Sequence, residues 1–229
     1  EDDYRICREA NINIVDPLDA DCVFTDMVSW LKGKFCKDAD KEIIQVLKDN
    51  NQLIYQSTIQ HSYPFCERTD TPLIYRAIDA WYVKVEDLRD RMIQHNSTIH
   101  WTPEHVGKKR FENWLADAKD WNISRNRFWG SCIPVWVNEE DSSDMICIKS
   151  TKHLEELSGE KVTDLHKHYV DNIIIHQDNK VYRRTPEVLD CWFESGSMPY
   201  AQNHYPFENK KTFEENFPAD FIAEVLDQT

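Results

Sequence analysis

The sequence is poor in glycine. Only five of its 229 residues are glycine, whereas an average protein uses about 7%. Phosphate-binding loops such as G-x-G-x-x-G and Walker A need several glycines close together, and neither pattern occurs in this chain. The scarcity therefore excludes a complete nucleotide site built on a glycine-rich loop.

Paired cysteines and long apolar runs are lacking as well. The seven cysteines form no C-x-x-C pair, although a disulfide scaffold or a structural zinc site would need an even number or a paired spacing. We therefore expect reduced thiols and a cytoplasmic location. A run of about 18 apolar residues is also missing, which excludes a helical membrane span.

Positive charge is in short supply. Lysine and arginine total 27 against 41 aspartates and glutamates, which gives a formal net charge of −14. Affinity for nucleic acids depends on basic side chains that neutralise phosphates, so this chain alone is expected to bind polyanions poorly. Basic residues cluster only locally, at 108–110 and at Arg125 and Arg127. A solvated helix face is the default interpretation of the first cluster.

The apolar pattern predicts a mixed α/β chain with short strands. Helices are predicted at 38–49, 86–95, after the Thr102-Pro103-Glu104 start signal, at 151–157 and at 213–217. Two hairpins are predicted, one pairing 132–137 with 145–149 and the other pairing 172–176 with 181–184. Further strands are predicted at 52–59 and 221–226, and extended segments at 73–77 and 81–85.

Five blocks of sequence occur in a fixed order. They are His61-Ser-Tyr-Pro-Phe-Cys66, Thr71-Pro-Leu-Ile-Tyr-Arg76, Trp121-Asn-Ile-Ser-Arg-Asn-Arg-Phe-Trp-Gly130 followed by Ile133-Pro134, Asp190-Cys-Trp-Phe-Glu-Ser-Gly196, and Phe221-Ile-Ala-Glu-Val-Leu-Asp-Gln-Thr229. Together they resemble class I aminoacyl-tRNA synthetases of the isoleucine, valine and leucine subgroup, over essentially the whole chain. The stretches 196–202 and 204–210 are most similar to the isoleucine-specific branch of the eukaryotic cytoplasmic type.

The resemblance implies a domain organisation within the mixed α/β class. Residues 1–80 would form the C-terminal part of a β-barrel-like editing domain, and 81–130 would be connecting helices and strands. Residues 131–229 would form a second-half segment of a Rossmann-type catalytic domain with inserted hairpins. The abrupt polar start and the stop directly after a predicted strand suggest an internal fragment of a longer protein.

The resemblance also implies an activity for the intact protein. It would form isoleucyl-adenylate from isoleucine and ATP, with Mg²⁺ accompanying the ATP, transfer it to tRNA(Ile), and hydrolyse mischarged valyl-tRNA(Ile). Hydrolysis is needed because one methylene contributes only about 1–3 kcal/mol of discrimination, for which isoleucine against valine is the standard illustration. The H-x-G-H and K-M-S-K-S elements are missing from this chain, so the fragment alone is expected to be inactive.

The last block carries the expected adenylate site. By resemblance, Glu224 faces the aminoacyl-adenylate, Asp227 accepts hydrogen bonds from ribose hydroxyls or the amino group, and Gln228 donates a further one. Val225 departs from the family, which has glycine there, and a β-branched side chain could obstruct the ligand. Trp192 would form a wall of the apolar amino-acid pocket. The alternative for Glu224, Asp227 and Gln228 is an ordinary polar strand end. The alternative for Trp192 is a core tryptophan at a strand end.

Two further sites are implied. Asp3 would be the editing-site carboxylate that holds the α-ammonium of the misattached amino acid, and the alternative is a frayed acidic terminus. Arg125, Arg127 and Trp129 would contact the tRNA acceptor end, since arginine pairs with phosphate and tryptophan stacks on bases. A structural ion pair is the alternative for the arginines.

Some relatives bind zinc through C-x-x-C where this chain has Cys66-Glu-Arg-Thr69, so we predict no bound metal.

Three other functions stay open: a valyl- or leucyl-tRNA synthetase fragment, a stand-alone aminoacyl-tRNA editing hydrolase, and a non-catalytic acidic interaction module. Membership of a multi-synthetase assembly is also left open.

Overall fold

The computed structural model describes residues 2–223. The chain divides into two compact units, 1–79 and 80–229. The first unit begins with helix α1 (Asp2–Glu9) and contains 3-10 turns at Asp26–Leu31 and Cys36–Ala39, the second of which leads into α2 (Asp40–Asp49). The helix predicted over 38–49 is thereby confirmed.

An arginine joins distant parts of the first unit. The Arg76 Nε donates a hydrogen bond to Asp16 Oδ2 at 2.7 Å, and its Nη2 donates to the Leu18 carbonyl at 2.5 Å. The Arg76 side chain lowers the pKa of the Asp16 carboxyl, chiefly through this hydrogen bond. The ion pair between Arg76 and Asp16 thus joins two segments of this unit that lie 60 positions apart in the sequence.

The strand predicted over 52–59 is wrong. This segment has no regular structure, and Ile54, Tyr55 and Ile59 are 100%, 80% and 73% exposed. A strand exists only where a neighbour accepts and donates its backbone hydrogen bonds, and no described strand pairs with this segment. Residues 73–77 likewise form no strand, although Pro72 makes an isolated bridge with Phe65.

The second unit begins with strand β1 (Tyr82–Val83), a 3-10 turn at Glu86–Leu88 and helix α3 (Arg89–Asn96). The helix predicted over 86–95 is confirmed. After Pro103 the chain is helical again, with a π-helical stretch (Val106–Phe111) followed by α4 (Glu112–Ala116).

Three antiparallel sheets follow in the described residues. Strand β2 (Trp121–Asn122) pairs with β1, and β3 (Ser124–Arg125) pairs with a later strand, β8 (Val188–Leu189). The largest sheet has the order β5-β4-β7-β6. Its strands are β4 (Val135–Asn138), β5 (Met145–Cys147), β6 (Ile174–Gln177) and β7 (Lys180–Arg184). Both predicted hairpins are confirmed.

This four-stranded sheet supports the main core. Helices α5 (Thr151–Ser158) and α6 (Lys167–Val170) contribute apolar residues to it. The helix predicted over 151–157 is confirmed. The buried cluster consists of Trp136, Leu154, Val162, Val170, Ile173, Ile175 and Tyr182. Trp136 Nε1 donates to the Ile173 carbonyl at 2.8 Å, so the indole is satisfied inside the core.

The last part is helical. Strand β8 (Val188–Leu189) leads into α7 (Cys191–Gly196), α8 (Met198–Ala201) and α9 (Lys210–Asn216). The helical turn predicted at 213–217 is confirmed by α9, which begins three residues earlier and ends one residue earlier than predicted. The buried strand predicted over 221–226 is wrong for 221–223, since Phe221 and Ile222 are 83% and 71% exposed. Residues 224–226 lie outside the described range.

The mixed α/β prediction is confirmed. Within 2–223 the small antiparallel sheets close no barrel, so the barrel-like and Rossmann-type details stay predictions. None of the helices described is both long enough and apolar enough to span a membrane.

Candidate functional site

A cavity of about 660 Å³ lies beside helix α7 in the second unit. It brings together residues from three segments, which are the end of the third sequence block, the loop before α6, and α7 itself. Two of the five blocks therefore meet at one cavity. Its walls are formed by Trp129, Gly130, Ser131, Thr163, Asp164, Leu165, His166 and Glu194.

A hydrogen bond fixes the two blocks to each other. The Ser131 backbone N–H donates to Glu194 Oε1 at 2.8 Å. The Glu194 carboxylate thus reaches the segment that enters the large sheet, while the Glu194 backbone carbonyl accepts from Ser197 Oγ at 2.6 Å. Helix α7 is thereby held against the wall that carries Trp129.

Asp190 starts α7 and is almost fully buried, with 4% of its surface exposed. Its Oδ1 accepts the Trp192 backbone N–H at 3.0 Å, which is an N-cap bond. Its Oδ2 pairs with Arg125 Nη2. The pKa of Asp190 is lowered first by the Trp192 N–H, while burial opposes the shift and the Arg125 charge adds to it. The carboxylate is therefore held in its charged form.

Arg125 is committed to protein partners. Besides Asp190, its Nη1 donates to the carbonyls of Asn122 and Ser124, both at 2.8 Å. The guanidinium is thus anchored on the backbone at β3, which also pairs with β8 just before Asp190. The ion pair that the sequence left as an alternative is present, and contact of Arg125 with tRNA stays a prediction.

Arg127 and Trp129 face solvent. Arg127 is exposed, and its Nη1 donates to the Asn126 carbonyl at 3.2 Å. Trp129 is 67% exposed and packs edge-on against Phe128 and His166, with ring centroids 5.1 and 5.8 Å apart. An exposed tryptophan beside an exposed arginine is accessible to a polyanionic partner, but tRNA contact stays a prediction for both.

Trp192 lies in the first turn of α7 and is 61% exposed. The alternative interpretation, a core tryptophan at a strand end, is wrong because the residue is neither buried nor on a strand. The indole does not line the cavity beside α7. Its predicted role as a pocket wall stays untested.

The remaining predicted site residues are near the two ends of the sequence. Glu224, Asp227 and Gln228, together with Val225, lie outside the described residues. Asp3 belongs to the first unit, in the exposed first turn of α1. No cluster of three or more His, Cys, Asp or Glu suited to a metal ion is found among residues 2–223.

Sequence reasoning missed Asp190 and Ser131 as site-forming residues. For Asp190 the sequence contains a signal, because an aspartate directly before a short helix is a typical N-cap. For Ser131 no signal existed, since its contribution is a backbone N–H.

A second cavity of about 510 Å³ lies between the large sheet and α5. Its walls include the apolar Trp136, Ile148 and Leu154, with Cys132 and Arg184. Burial raises the pKa of the Cys132 thiol, which keeps it protonated and unreactive. The cavity therefore offers mainly apolar surface.

Comparison with known proteins gives a consistent result. A family model described as tRNA synthetases class I (I, L, M and V) matches residues 10–229. Proteins named isoleucine–tRNA ligase are 51% identical in Chlamydia pneumoniae, 52% in Chlamydia muridarum and 52% in Protochlamydia amoebophila, each over all 229 residues. The chain spans only 22% of each of these relatives. These relatives are bacterial, so they do not support the predicted similarity to the eukaryotic cytoplasmic type of the enzyme.

Proposed function

The chain belongs to the class I tRNA synthetases of the I, L, M and V group, and we propose that it is a segment of an isoleucine–tRNA ligase. The observation that carries the proposal is the meeting of the Trp129-Gly130-Ser131 segment with α7 at one cavity. These are two of the blocks on which the resemblance rests. The identity of 51–52% over the whole chain supports the isoleucine assignment.

The proposed activity belongs to the intact protein. It forms isoleucyl-adenylate from isoleucine and ATP with Mg²⁺, and then transfers the isoleucyl group to tRNA(Ile). It also removes valine from mischarged tRNA(Ile), since binding alone discriminates weakly between side chains that differ by one methylene. The location proposed for it is the cytoplasm.

Each part of the chain has a proposed role. Residues 1–80 belong to a barrel-like editing domain in which Asp3 anchors the amino group. Residues 81–130 connect it to a Rossmann-type catalytic domain. There Trp192 forms part of the amino-acid pocket, and the 224–228 segment, through Glu224, Asp227 and Gln228, binds the adenylate. Arg127 and Trp129 contact the tRNA acceptor end, which their exposure to solvent supports.

Isotopic ATP–pyrophosphate exchange by the full-length protein tests the proposal. Exchange should depend on isoleucine more strongly than on valine or leucine, and the 229-residue chain alone should show only background. Preferential exchange with valine or leucine would instead assign the protein to one of those ligases.

Two other functions have their own readouts. Deacylation of valyl-tRNA(Ile) by the 229-residue chain would favour an editing hydrolase. A full-length protein that shows no exchange and binds neither tRNA(Ile) nor an isoleucyl-adenylate analogue would favour an acidic interaction module.

A further inference from the structure

We propose that Arg125 and Asp190 are positioning residues for the amino-acid pocket, which they shape by fixing the helix that presents Trp192. The inference rests on the proposed function, and it gives Arg125 a role in isoleucine recognition rather than in tRNA contact. Four observations carry it.

First, the Asp190 carboxylate holds two groups at once. Oδ1 accepts the Trp192 backbone N–H at 3.0 Å, and Oδ2 accepts from Arg125 Nη2. The Asp190 side chain is only 5% exposed. A buried carboxylate with both oxygens engaged cannot move without leaving a charge unpaired, which is costly inside a protein.

Second, the guanidinium is fixed by the backbone. Arg125 Nη1 donates to two carbonyls, those of Asn122 and Ser124, each at 2.8 Å. The backbone N–H of Asp190 in turn donates to the Ile123 carbonyl at 2.7 Å. Segment 122–125 therefore holds Asp190 through both its main chain and its side chain.

Third, α7 has another tether in its second half. Glu194 Oε1 accepts the Ser131 N–H at 2.8 Å. Helix α7 spans only Cys191–Gly196, so the two tethers bracket it. A helix of six residues is too short to be stable by itself, and its orientation depends on such contacts.

Fourth, Trp192 cannot be positioned by core packing. Its side chain is on the surface, with 61% of the residue exposed. Its backbone N–H is the group that Asp190 holds. The placement of the indole therefore follows the orientation of the first turn of α7, and so the Arg125–Asp190 pair.

The test uses the full-length protein carrying Arg125→Met, Asp190→Asn or both. Asparagine retains an oxygen that can cap α7 but loses the charge that Arg125 pairs with. Three quantities are measured: KM and kcat for isoleucine in ATP–pyrophosphate exchange without tRNA, the same for valine, and KM for tRNA in aminoacylation.

Each single variant should raise KM for isoleucine about tenfold, the effect of losing a charge-assisted hydrogen bond. The preference for isoleucine over valine should fall, and KM for tRNA should not change. The double variant should be no worse than the worse single variant, because the two residues act as one unit. Arg125→Lys, which keeps the charge, should recover part of the loss.

Arg183→Met serves as the matched control. Arg183 also pairs with a carboxylate, that of Glu139, but it lies on strand β7 of the large sheet. Its removal should leave exchange unchanged. Thermal unfolding of every variant separates a local effect from loss of fold, and if Arg125→Met does not fold, Asp190→Asn and Arg125→Lys carry the same test.

Three outcomes would overturn the inference. One is a raised KM for tRNA with unchanged isoleucine exchange, which would make Arg125 a tRNA contact. Another is additive losses in the double variant. The third is loss of kcat for all substrates in step with a lower melting temperature, as a merely structural pair would give. A wild-type protein without isoleucine-dependent exchange would instead contradict the proposed function itself.

Discussion

Gly130 sits where the chain leaves the third sequence block, with a backbone φ of +149°. A Cβ at this position would lie 2.8 Å from Val188 Cγ2 and 3.0 Å from Val188 Cβ. Val188 is only 1% exposed, so it cannot move away freely. The glycine is required both for its conformation and for the close approach of the β8 strand.

Gly130→Ala should therefore destabilise the chain by about 1–3 kcal/mol, measured by urea unfolding. Gly196→Ala is the matched control, because no atom lies within 4 Å of its Cβ position and its φ is not positive. The control should be neutral or slightly stabilising. Equal effects of the two substitutions would contradict the close approach at Gly130.

Asp144 accepts three hydrogen bonds, from Lys180 Nζ at 2.7 Å, Tyr182 Oη at 3.0 Å and Asn138 Nδ2 at 3.1 Å. These bonds, led by that from Lys180, lower the pKa of its carboxyl from the usual 3.8. A carboxyl with a lowered folded-state pKa stabilises the fold fully above the unfolded-state value. The contribution disappears as pH falls through the folded-state value.

The urea midpoint of the wild-type chain should consequently decline as the pH falls below about 4. Asp144→Asn removes the titrating group, so this variant should be less stable at pH 7 but should lose less on acidification. Parallel pH profiles for the two proteins would show that Asp144 does not contribute.

At the scale of elements, helix α5 has defined ends. Ser150 has extended backbone angles, and its side chain accepts the His153 N–H at 3.1 Å. Gly159 ends the helix in the left-handed region with φ of 75°. These are typical helix start and stop residues. The predicted helix, 151–157, begins at the observed first residue and ends one residue before the observed end at Ser158.

Ser150→Ala should cost about 1 kcal/mol of unfolding free energy, because it leaves a first-turn N–H without its capping oxygen. Ser142→Ala, in the acidic loop between β4 and β5, is the control and should change stability by less than about 0.5 kcal/mol. Both are measured by thermal or urea unfolding. An unaffected Ser150→Ala protein would mean that the bond to His153 contributes nothing.

The helical run after Pro103 shows what periodicity misses. The apolar spacing predicted a helix, but not its π-helical stretch at Val106–Phe111. A tertiary contact accompanies this stretch, because the buried Asn96 Nδ2 donates to the Gly107 carbonyl at 3.1 Å and its Oδ1 accepts from Trp101 Nε1 at 2.9 Å. Gly107 also lies against the Trp101 ring, where a Cβ would be 2.1 Å from an indole carbon.

At the scale of the whole molecule, order is distributed unevenly among the described residues. The second unit contains the four-stranded sheet and its core, while the stretch 51–64 of the first unit has no helix or strand. Cleavage by proteases follows local opening and exposure.

Brief chymotrypsin treatment of the chain should cut after Tyr55 and Tyr75, which are 80% and 92% exposed. Tyr182 and Trp136, at 4% and 2% exposure, should stay protected. Mass spectrometry should then find a persistent fragment that begins beyond Tyr75 and retains the large sheet. Early cleavage after Tyr182 or Trp136 would contradict the described core.

The sequence by itself determined the family, most helices and both hairpins of the large sheet. The family follows from the five ordered sequence blocks. The helices and hairpins depend on short-range signals, namely capping residues, turn residues and apolar periodicity within one element. It also supplied the two blocks that meet beside α7. It could not predict that they meet, because the contact joins Ser131 to Glu194 across 63 positions through a backbone N–H.

Only the tertiary structure decided which side chains are paired, buried or exposed. Arg125 and Arg127 are two positions apart, yet one is anchored to the buried Asp190 and the other faces solvent. The strand propensity of 52–59 likewise led to no strand, because pairing requires a partner and not only suitable residues. Local chemistry fixes what an element can be, whereas burial and pairing depend on distant segments that no local pattern encodes.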